Sequence, residues 1–372
     1  MVKLAIVHFN PIELYPPVMN WLNYIAAQSH GELEVRVYTT HALNMTHAFE
    51  APSGFIKIIR TGGIPQASSF RRYGTYVRFY AGTSLRLMAW KPDTVLYYET
   101  ISSFPALLYK RVIRPRSRLF IHYHEYTPPE EYRGGMILNR WFHRLEQKTY
   151  SRTAWLSHTN EERLYNFEKD QPGISLPNKQ VMPNYPPAAW TISLPKTRQN
   201  PLRIVYAGSL SLEAMYAREF AEWVLAQNGK VIWDIYAVNI SGDTKEYLDG
   251  LNKDLVRFKG SCDYFELPAL LSQYDVGVVL YKGIIPNHII AVSNKVFEYL
   301  SRGLDVWYSR EMTGTYAYDT SGVYPKVLAI DGKAMGNFNL DVALDRTGLR
   351  FQPCIYHCEA IFEPLFETII SG

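Results

Sequence analysis

Three cysteines in 372 residues, Cys262, Cys354 and Cys358, are too few for a disulfide framework, and a cytoplasmic protein is the simplest expectation. No stretch approaches the ~18 consecutive apolar residues of a membrane-spanning helix. The opening Met1-Val-Lys-Leu-Ala-Ile-Val-His-Phe-Asn10 has too short an apolar run, and no small-residue cleavage site, for a secretion signal; it is expected to be a first strand. No Gly-x-Gly-x-x-Gly follows that strand, where Asn10-Pro-Ile-Glu-Leu14 stands instead, and this weighs against a dinucleotide oxidoreductase. There is no Asp-x-Asp pair of the kind that holds a divalent cation. His122-Tyr-His124 and Cys354-Ile-Tyr-His-Cys358 come nearest to metal-ligand spacing, and neither has further ligands at suitable spacing. No metal and no cofactor are therefore expected.

What is present is an apolar fraction of 47%, ample for packed cores, in a chain long enough that two domains are the natural prior. Its charge is lopsided. Residues 1–185 carry 22 Lys and Arg against 14 Asp and Glu, and the remainder 17 against 21. The basic half holds a dense cluster, Lys110, Arg111, Arg114, Arg116 and Arg118. A second stretch sets Arg71, Arg72, Arg78 and Arg86 among Tyr73, Tyr76, Phe79 and Tyr80. Such asymmetry suits a negatively charged partner: nucleic acid, an anionic membrane surface or a lipid diphosphate. The bland alternative is a solvated basic face.

The first half alternates strand and helix. Strands are expected at Leu4–Phe9, Leu33–Thr39, Phe55–Arg60, Thr94–Tyr98, Arg118–His124 and Thr153–Ser157. Helices are expected at Val18–Gln28, Tyr73–Trp90, Phe104–Ile113, Leu138–Tyr150 and from Asn160. Residues 171–201 hold seven prolines and read as a linker. The alternation restarts at Leu202–Ala207 and runs through Val231–Ala237, Val256–Lys259 and Asp275–Tyr281, with helices between. Two doubly wound α/β domains result, 1–185 and 186–355, with ligands expected in a cleft at the carboxyl ends of the strands.

Residues 293–303, Ser-Asn-Lys-Val-Phe-Glu-Tyr-Leu-Ser-Arg-Gly, follow a buried strand and open a helix. Its first N–H groups lack partners and favour an anion. Asn294, Lys295 and Glu298 share one side of the first turn, while Val296, Leu300 and Leu304 take the other. A lysine for a diphosphate and a carboxylate for a ribose hydroxyl would suit a nucleotide; an amphipathic helix with a solvated face is the competing reading.

This segment resembles the donor-binding signature of retaining GT-B glycosyltransferases, especially glycosyltransferase family 4 of bacterial glycan assembly. Leu202-Arg-Ile-Val-Tyr-Ala-Gly208-Ser-Leu is similar to the opening of that family's donor domain, and Val256-Arg-Phe-Lys-Gly260 with Glu266–Val276 resembles the walls of its base pocket. The resemblance implies a GT-B fold of two Rossmann-like domains: 1–185 for the acceptor, 186–355 for a nucleotide-sugar donor, and 356–370 as a helix returning to the first. It implies metal-independent transfer of a hexose, with retention, to a glycan or lipid-linked acceptor. Donor contacts are expected from Gly208, Ser209, Lys282, Asn294, Lys295 and Glu298. Lys295 would stabilise the departing diphosphate. His124, in His122-Tyr-His-Glu-Tyr126, would act as a catalytic group, with Glu125 and Asn10 facing the acceptor. Arg111, Arg114, Arg116 and Arg118 would meet an anionic membrane from the cytoplasmic side, and nucleic acid is not an expected partner.

Two departures from the family pattern stand out. No basic residue follows Gly208, and Ile290 occupies the place of the first acid in the family's two-glutamate motif. They leave open a catalytically inactive scaffold. A sugar-nucleotide epimerase on the same fold is the third expectation.

Overall fold

The computed structural model describes residues 1–41, 48–63, 69–237 and 240–371, with the side chains of 69–72, and so Arg71 and Arg72, outside the described set. It divides into two compact units. Unit 1 comprises Met1–Asn184 and the C-terminal helix, and unit 2 comprises Tyr185–His357.

Unit 1 is a seven-stranded parallel sheet. Its elements are β1 (Val2–His8), α1 (Pro16–Gln28), β2 (Leu33–His41), β3 (Ile56–Gly63), α2 (Ser69–Trp90), β4 (Thr94–Tyr98), α3 (Glu99–Leu108), β5 (Arg118–Tyr123), α4 (Pro129–Gly134), α5 (Ile137–Gln147), β6 (Trp155–His158), α6 (Glu161–Lys169) and β7 (Lys179–Val181). The order across the sheet is β3-β2-β1-β4-β5-β6-β7. Helices cover both faces, so the central β4 is buried along its whole length, while β2, nearer the edge, alternates over Leu33–Val37. Prolines 16 and 17 open α1, where their missing N–H groups cost nothing. Asn160 caps α6, its side chain accepting from Arg163 N at 2.8 Å.

Two details differ from the sequence expectation. The helix expected from Phe104 begins at Glu99 and passes into a π-turn at Tyr109–Ile113. The proline-rich stretch expected to be a linker contributes β7, pairing with β6 at the sheet edge, where few ladder bonds are required.

Unit 2 repeats the plan with β8 (Leu202–Ala207), α7 (Ala217–Ala226), β9 (Val231–Tyr236), α8 (Gly242–Asp249), β10 (Val256–Phe258), α9 (Leu267–Leu271), β11 (Val276–Val279), α10 (Pro286–Ile290), α11 (Asn294–Ser301), β12 (Asp305–Ser309), β13 (Val323–Tyr324), β14 (Val327–Ile330), α12 (Leu340–Leu344) and β15 (Arg350–Phe351). Six strands form a parallel sheet in the order β10-β9-β8-β11-β12-β14, and β13 pairs with β15 separately. Its core has two layers, one around Trp233, Phe220 and Trp307, the other around Tyr299, Val296 and Tyr308.

The last helix, α13 (Cys358–Ile370), packs on α1, with Phe362 5.2 Å from Trp21 between ring centres. Arg118 fastens it by donating to the carbonyls of Thr368 (2.6 Å) and Ile369 (3.3 Å). Cations near a helix C-terminus satisfy its open carbonyls.

In both sheets the chain winds one way and then the other. The reversal falls between β1 and β4 in unit 1, and between β8 and β11 in unit 2. Loops leaving the carboxyl ends there diverge and open a crevice.

Candidate functional site

In unit 2 the crevice is built around Gly208. This glycine has φ of 150°, and a Cβ there would lie 2.7 Å from Lys295 Nζ and closer still to its Cε. Only glycine lets the lysine lie over the end of β8. Lys295 comes from the first turn of α11, and its ammonium is 5.6 Å from the Tyr206 ring centre. One turn on, Tyr299 seats the helix. Its ring fills the space that a side chain on Gly277 would take, and its hydroxyl accepts from Ala207 N at 3.1 Å. Lys295 and Tyr299 are four residues apart, so one helical face carries the anchor and the charge.

Glu298 is buried, contrary to a solvated face. Burial pushes its pKa up to about 7, against the pull of Lys295. Asn294 is the first residue of α11, whose N-cap Ser293 makes no side-chain cap; Val296 N donates to Ser293 O at 3.0 Å, and the N–H groups of Asn294 and Lys295 stay open. Ser209 is exposed, and its carbonyl accepts from Tyr206 at 2.5 Å. Lys282 is placed differently from expectation. Its ammonium donates to Leu212 O at 2.9 Å and lies 3.5 Å from Glu219, so it already has partners inside unit 2.

In unit 1 the crevice holds a cavity of about 220 Å³ at the ends of β1, β4 and β5. Asn10, His124 and Glu125, expected from sequence, all line it, and so do Tyr15, Glu99, Thr100, Tyr132 and Asn139, which were not singled out. Glu99 organises the wall. Its backbone sits at φ 63°, a left-handed conformation costing a non-glycine residue of order 1–3 kcal/mol. That conformation turns the carboxyl so that Oε1 accepts from the backbone N–H of His124 (2.5 Å) and Glu125 (3.2 Å). Burial, reinforced by the nearby Glu125 charge, pushes the Glu99 pKa up to about 8.

His124 stacks on Tyr98 at 5.1 Å and stands within 6 Å of the His8 and His122 rings. Burial holds its pKa well below the usual imidazole range, so the ring is neutral at physiological pH. Its Nε2 is sealed from water without a partner. Behind it Arg163 donates to the His124 carbonyl and to Thr159 Oγ1. Among the described residues, no group of three or more His, Cys, Asp or Glu side chains could hold a metal ion. Glu99 had one signal in the sequence: a charged residue directly after a buried parallel strand stands at the carboxyl edge where such sheets bind ligands.

The basic cluster separates into two kinds of residue. Arg114 donates to Lys91 O at 2.6 Å and pairs with Asp93 at 2.8 Å, while Lys110 donates to Pro115 O and Ser117 O. Arg118 is tied to α13 as described. Arg111 and Arg116 are exposed, next to Val112 at 65% and Ile113 at 37% exposure.

No family model and no curated protein matches the sequence. Solved structures do match. The apo form of the lipopolysaccharide outer core galactosyltransferase WaaB is 15% identical, with a TM-score of 0.61 over 100% of this chain and 99% of its own. Anabaena HepE, solved with UDP and glucose, is 14% identical, with a TM-score of 0.64 and complete coverage of both chains. The fold is GT-B. UDP-GlcNAc 2-epimerase from Neisseria meningitidis, bound to UDP-GlcNAc, shares it at 14% identity and a TM-score of 0.62, again over both whole chains. At such identities the likeness is one of fold, and two kinds of enzyme built on GT-B are represented.

Proposed function

We propose that this protein is a glycosyltransferase that moves a sugar from a nucleotide-sugar donor, held by unit 2, to an acceptor held by unit 1. The observation that carries the reading is Lys295 lying over Gly208 at the open N-terminus of α11. Departure of a nucleoside diphosphate breaks the bond from the anomeric carbon to a phosphate oxygen, and negative charge grows on that oxygen. Lys295 and the free N–H groups of α11 are donors fixed in advance where that charge develops. In this reading Glu298, buried beside Lys295 in α11, accepts from a ribose hydroxyl of the nucleotide. Neutral His124 orients a hydroxyl in the unit 1 crevice rather than supplying a proton. The departing phosphate takes the proton of the incoming hydroxyl on the same face, giving retention without a metal or cofactor.

Association with an anionic membrane surface belongs to the same proposal, on a revised set of residues. Arg111, Arg116, Val112 and Ile113 are exposed together. On α2, Tyr73, Val77 and Leu85 recur at multiples of four residues and are exposed beside Arg78 and Arg86. Neither 69–90 nor 100–118 contains an acidic residue. The acceptor is then a glycan, free or lipid-linked, at the inner face of a membrane. Among the described residues no helix is long and apolar enough to cross one.

One observation favours a second reading. Glu99 and Glu125 form a carboxyl pair in which one member has a raised pKa, the arrangement used to remove and return a proton. An epimerase would convert a nucleotide sugar without any acceptor. One experiment separates the two: nucleotide sugars incubated in D₂O with and without a mixture of glycosides. Acceptor-dependent release of nucleoside diphosphate with a glycosidic product supports transfer. Acceptor-independent conversion with deuterium in the sugar ring overturns it in favour of epimerisation.

A further inference from the structure

We propose that the unit 1 cavity is a binding site for a single uncharged sugar ring, and that it rejects phosphate-bearing groups. The volume, about 220 Å³, is below the roughly 300–1,000 Å³ of sites for drug-sized ligands and suits one ring-sized group. The wall is almost entirely neutral hydrogen-bonding chemistry: the amides of Asn10 and Asn139, the hydroxyls of Tyr15, Thr100, Thr127 and Tyr132, and the imidazole of His124. Such a set of donors and acceptors matches the hydroxyls of a pyranose, and the tyrosine rings offer apolar faces for its C–H groups.

Two of these groups lack a partner among the described residues. Asn139 Oδ1 and His124 Nε2 are both sealed from water and make no hydrogen bond among the described residues. Each keeps a hydrogen-bonding position that a sugar hydroxyl would occupy. Glu99 anchors the wall through one carboxyl oxygen, which holds the two amides, and its other oxygen has no hydrogen-bond partner among the described residues.

Charge decides the class. Two acids line the cavity, Glu125 and Glu99, the latter holding its proton near neutral pH, and no lysine or arginine lines it. Arg163 is the nearby cation, and its guanidinium lies behind the strand end, donating to the His124 carbonyl and Thr159. A phosphate entering here would meet the Glu125 carboxyl and no ammonium or guanidinium in the wall. A lipid-linked acceptor would therefore place a sugar in this cavity and its diphosphate elsewhere. The inference rests on the transferase reading only in calling that sugar the acceptor; the binding itself needs no donor.

Saturation-transfer NMR on the full chain, without nucleotide, tests it with methyl hexosides, glucose 6-phosphate and glucosamine as probes. At least one methyl glucoside, galactoside or mannoside is expected to bind at least tenfold more tightly than glucose 6-phosphate. Asn139→Ala, which breaks no hydrogen bond within the described protein, is expected to weaken that glycoside at least fivefold with unchanged melting temperature, and Glu99→Gln is expected to weaken it as well. Equal or tighter binding of the sugar phosphate overturns the proposal. So does preferential binding of glucosamine, which would make this an ammonium site, or absence of any glycoside binding, or wild-type binding in Asn139→Ala. Glycoside binding lost while nucleotide sugar is still turned over sinks this inference alone. Glycoside binding in a protein that binds no nucleotide sugar sinks the transferase reading alone.

Discussion

Replacing Gly208 by alanine tests how unit 2 would hold an anion. The new methyl would sit 2.7 Å from Lys295 Nζ and closer to Cε, so something must move. The atoms in the way are the far end of a flexible side chain, and the lysine swings aside while the fold survives. Alanine at φ 150° adds backbone strain of about 1–3 kcal/mol, enough to lower the melting temperature by several degrees for domains of this size. The functional cost is that of a misplaced cation. Losing a charge-assisted hydrogen bond costs about 1.5–3 kcal/mol, roughly 10- to 150-fold in kcat/KM for the nucleotide sugar. Turnover is expected to fall more than donor affinity, because charge on the leaving diphosphate grows as the bond breaks. The decisive form is a double-mutant cycle with Lys295→Ala. Each single variant should show the full loss, and Gly208→Ala should cost less than about threefold once the lysine is gone. If the two losses multiply instead, Gly208 does not serve Lys295, and the reasoning fails.

Three further outcomes follow from named contacts. The Glu99 pKa, raised from 4.5 to about 8, means that between those values the folded chain keeps a proton which the unfolded chain has released, so stability falls as pH rises through that window. Glu99→Gln should flatten this decline in urea midpoints measured from pH 5 to 8, and a slope as steep as wild type would contradict the assignment. Arg118→Ser removes two partly solvated hydrogen bonds to the end of α13 and should cost about 1 kcal/mol, or about 2–4 °C in melting temperature, without altering liposome binding. Arg111→Ser with Arg116→Ser should weaken sedimentation with anionic liposomes at low salt by roughly 2 kcal/mol, about 30-fold, and unchanged sedimentation would refute the surface assignment.

Much of the fold is legible in the sequence because parallel strands buried on both faces leave short apolar runs, as in Val95–Tyr98 and Ile204–Ala207. β7 is not legible: three residues, Lys179–Val181, lie among prolines and carry two exposed polar side chains, and only pairing with β6 makes them a strand. The start of α3 is missed for a related reason. Glu99 adopts a left-handed backbone to enter the helix, and no local propensity signals that. In unit 2, Gly208, Lys295 and Glu298 could be picked out from a strand-end glycine and a helix start. Their mutual packing could not, because Lys295 reaches Gly208 only through the seating of Tyr299 over Gly277. Lys282 shows the opposite limit: its partners Leu212 and Glu219 are remote in sequence, so a lysine that looks available is already engaged. Arg114 and Arg118 carry the same lesson for the basic cluster, where charge density in sequence did not distinguish structural arginines from surface ones.

The central claim is that unit 2 binds a nucleotide sugar through Lys295 and Glu298. Thermal unfolding of the wild-type chain with a panel of uridine, guanosine, adenosine and thymidine diphosphate sugars tests it most directly. One nucleotide sugar, present at a hundred times its Kd, should stabilise the protein by about 2.7 kcal/mol, a rise of roughly 5–10 °C. At the same concentration most of that rise should vanish in Lys295→Ala and Glu298→Ala. No shift with any member of the panel, or the same shift in both variants as in wild type, would contradict the account.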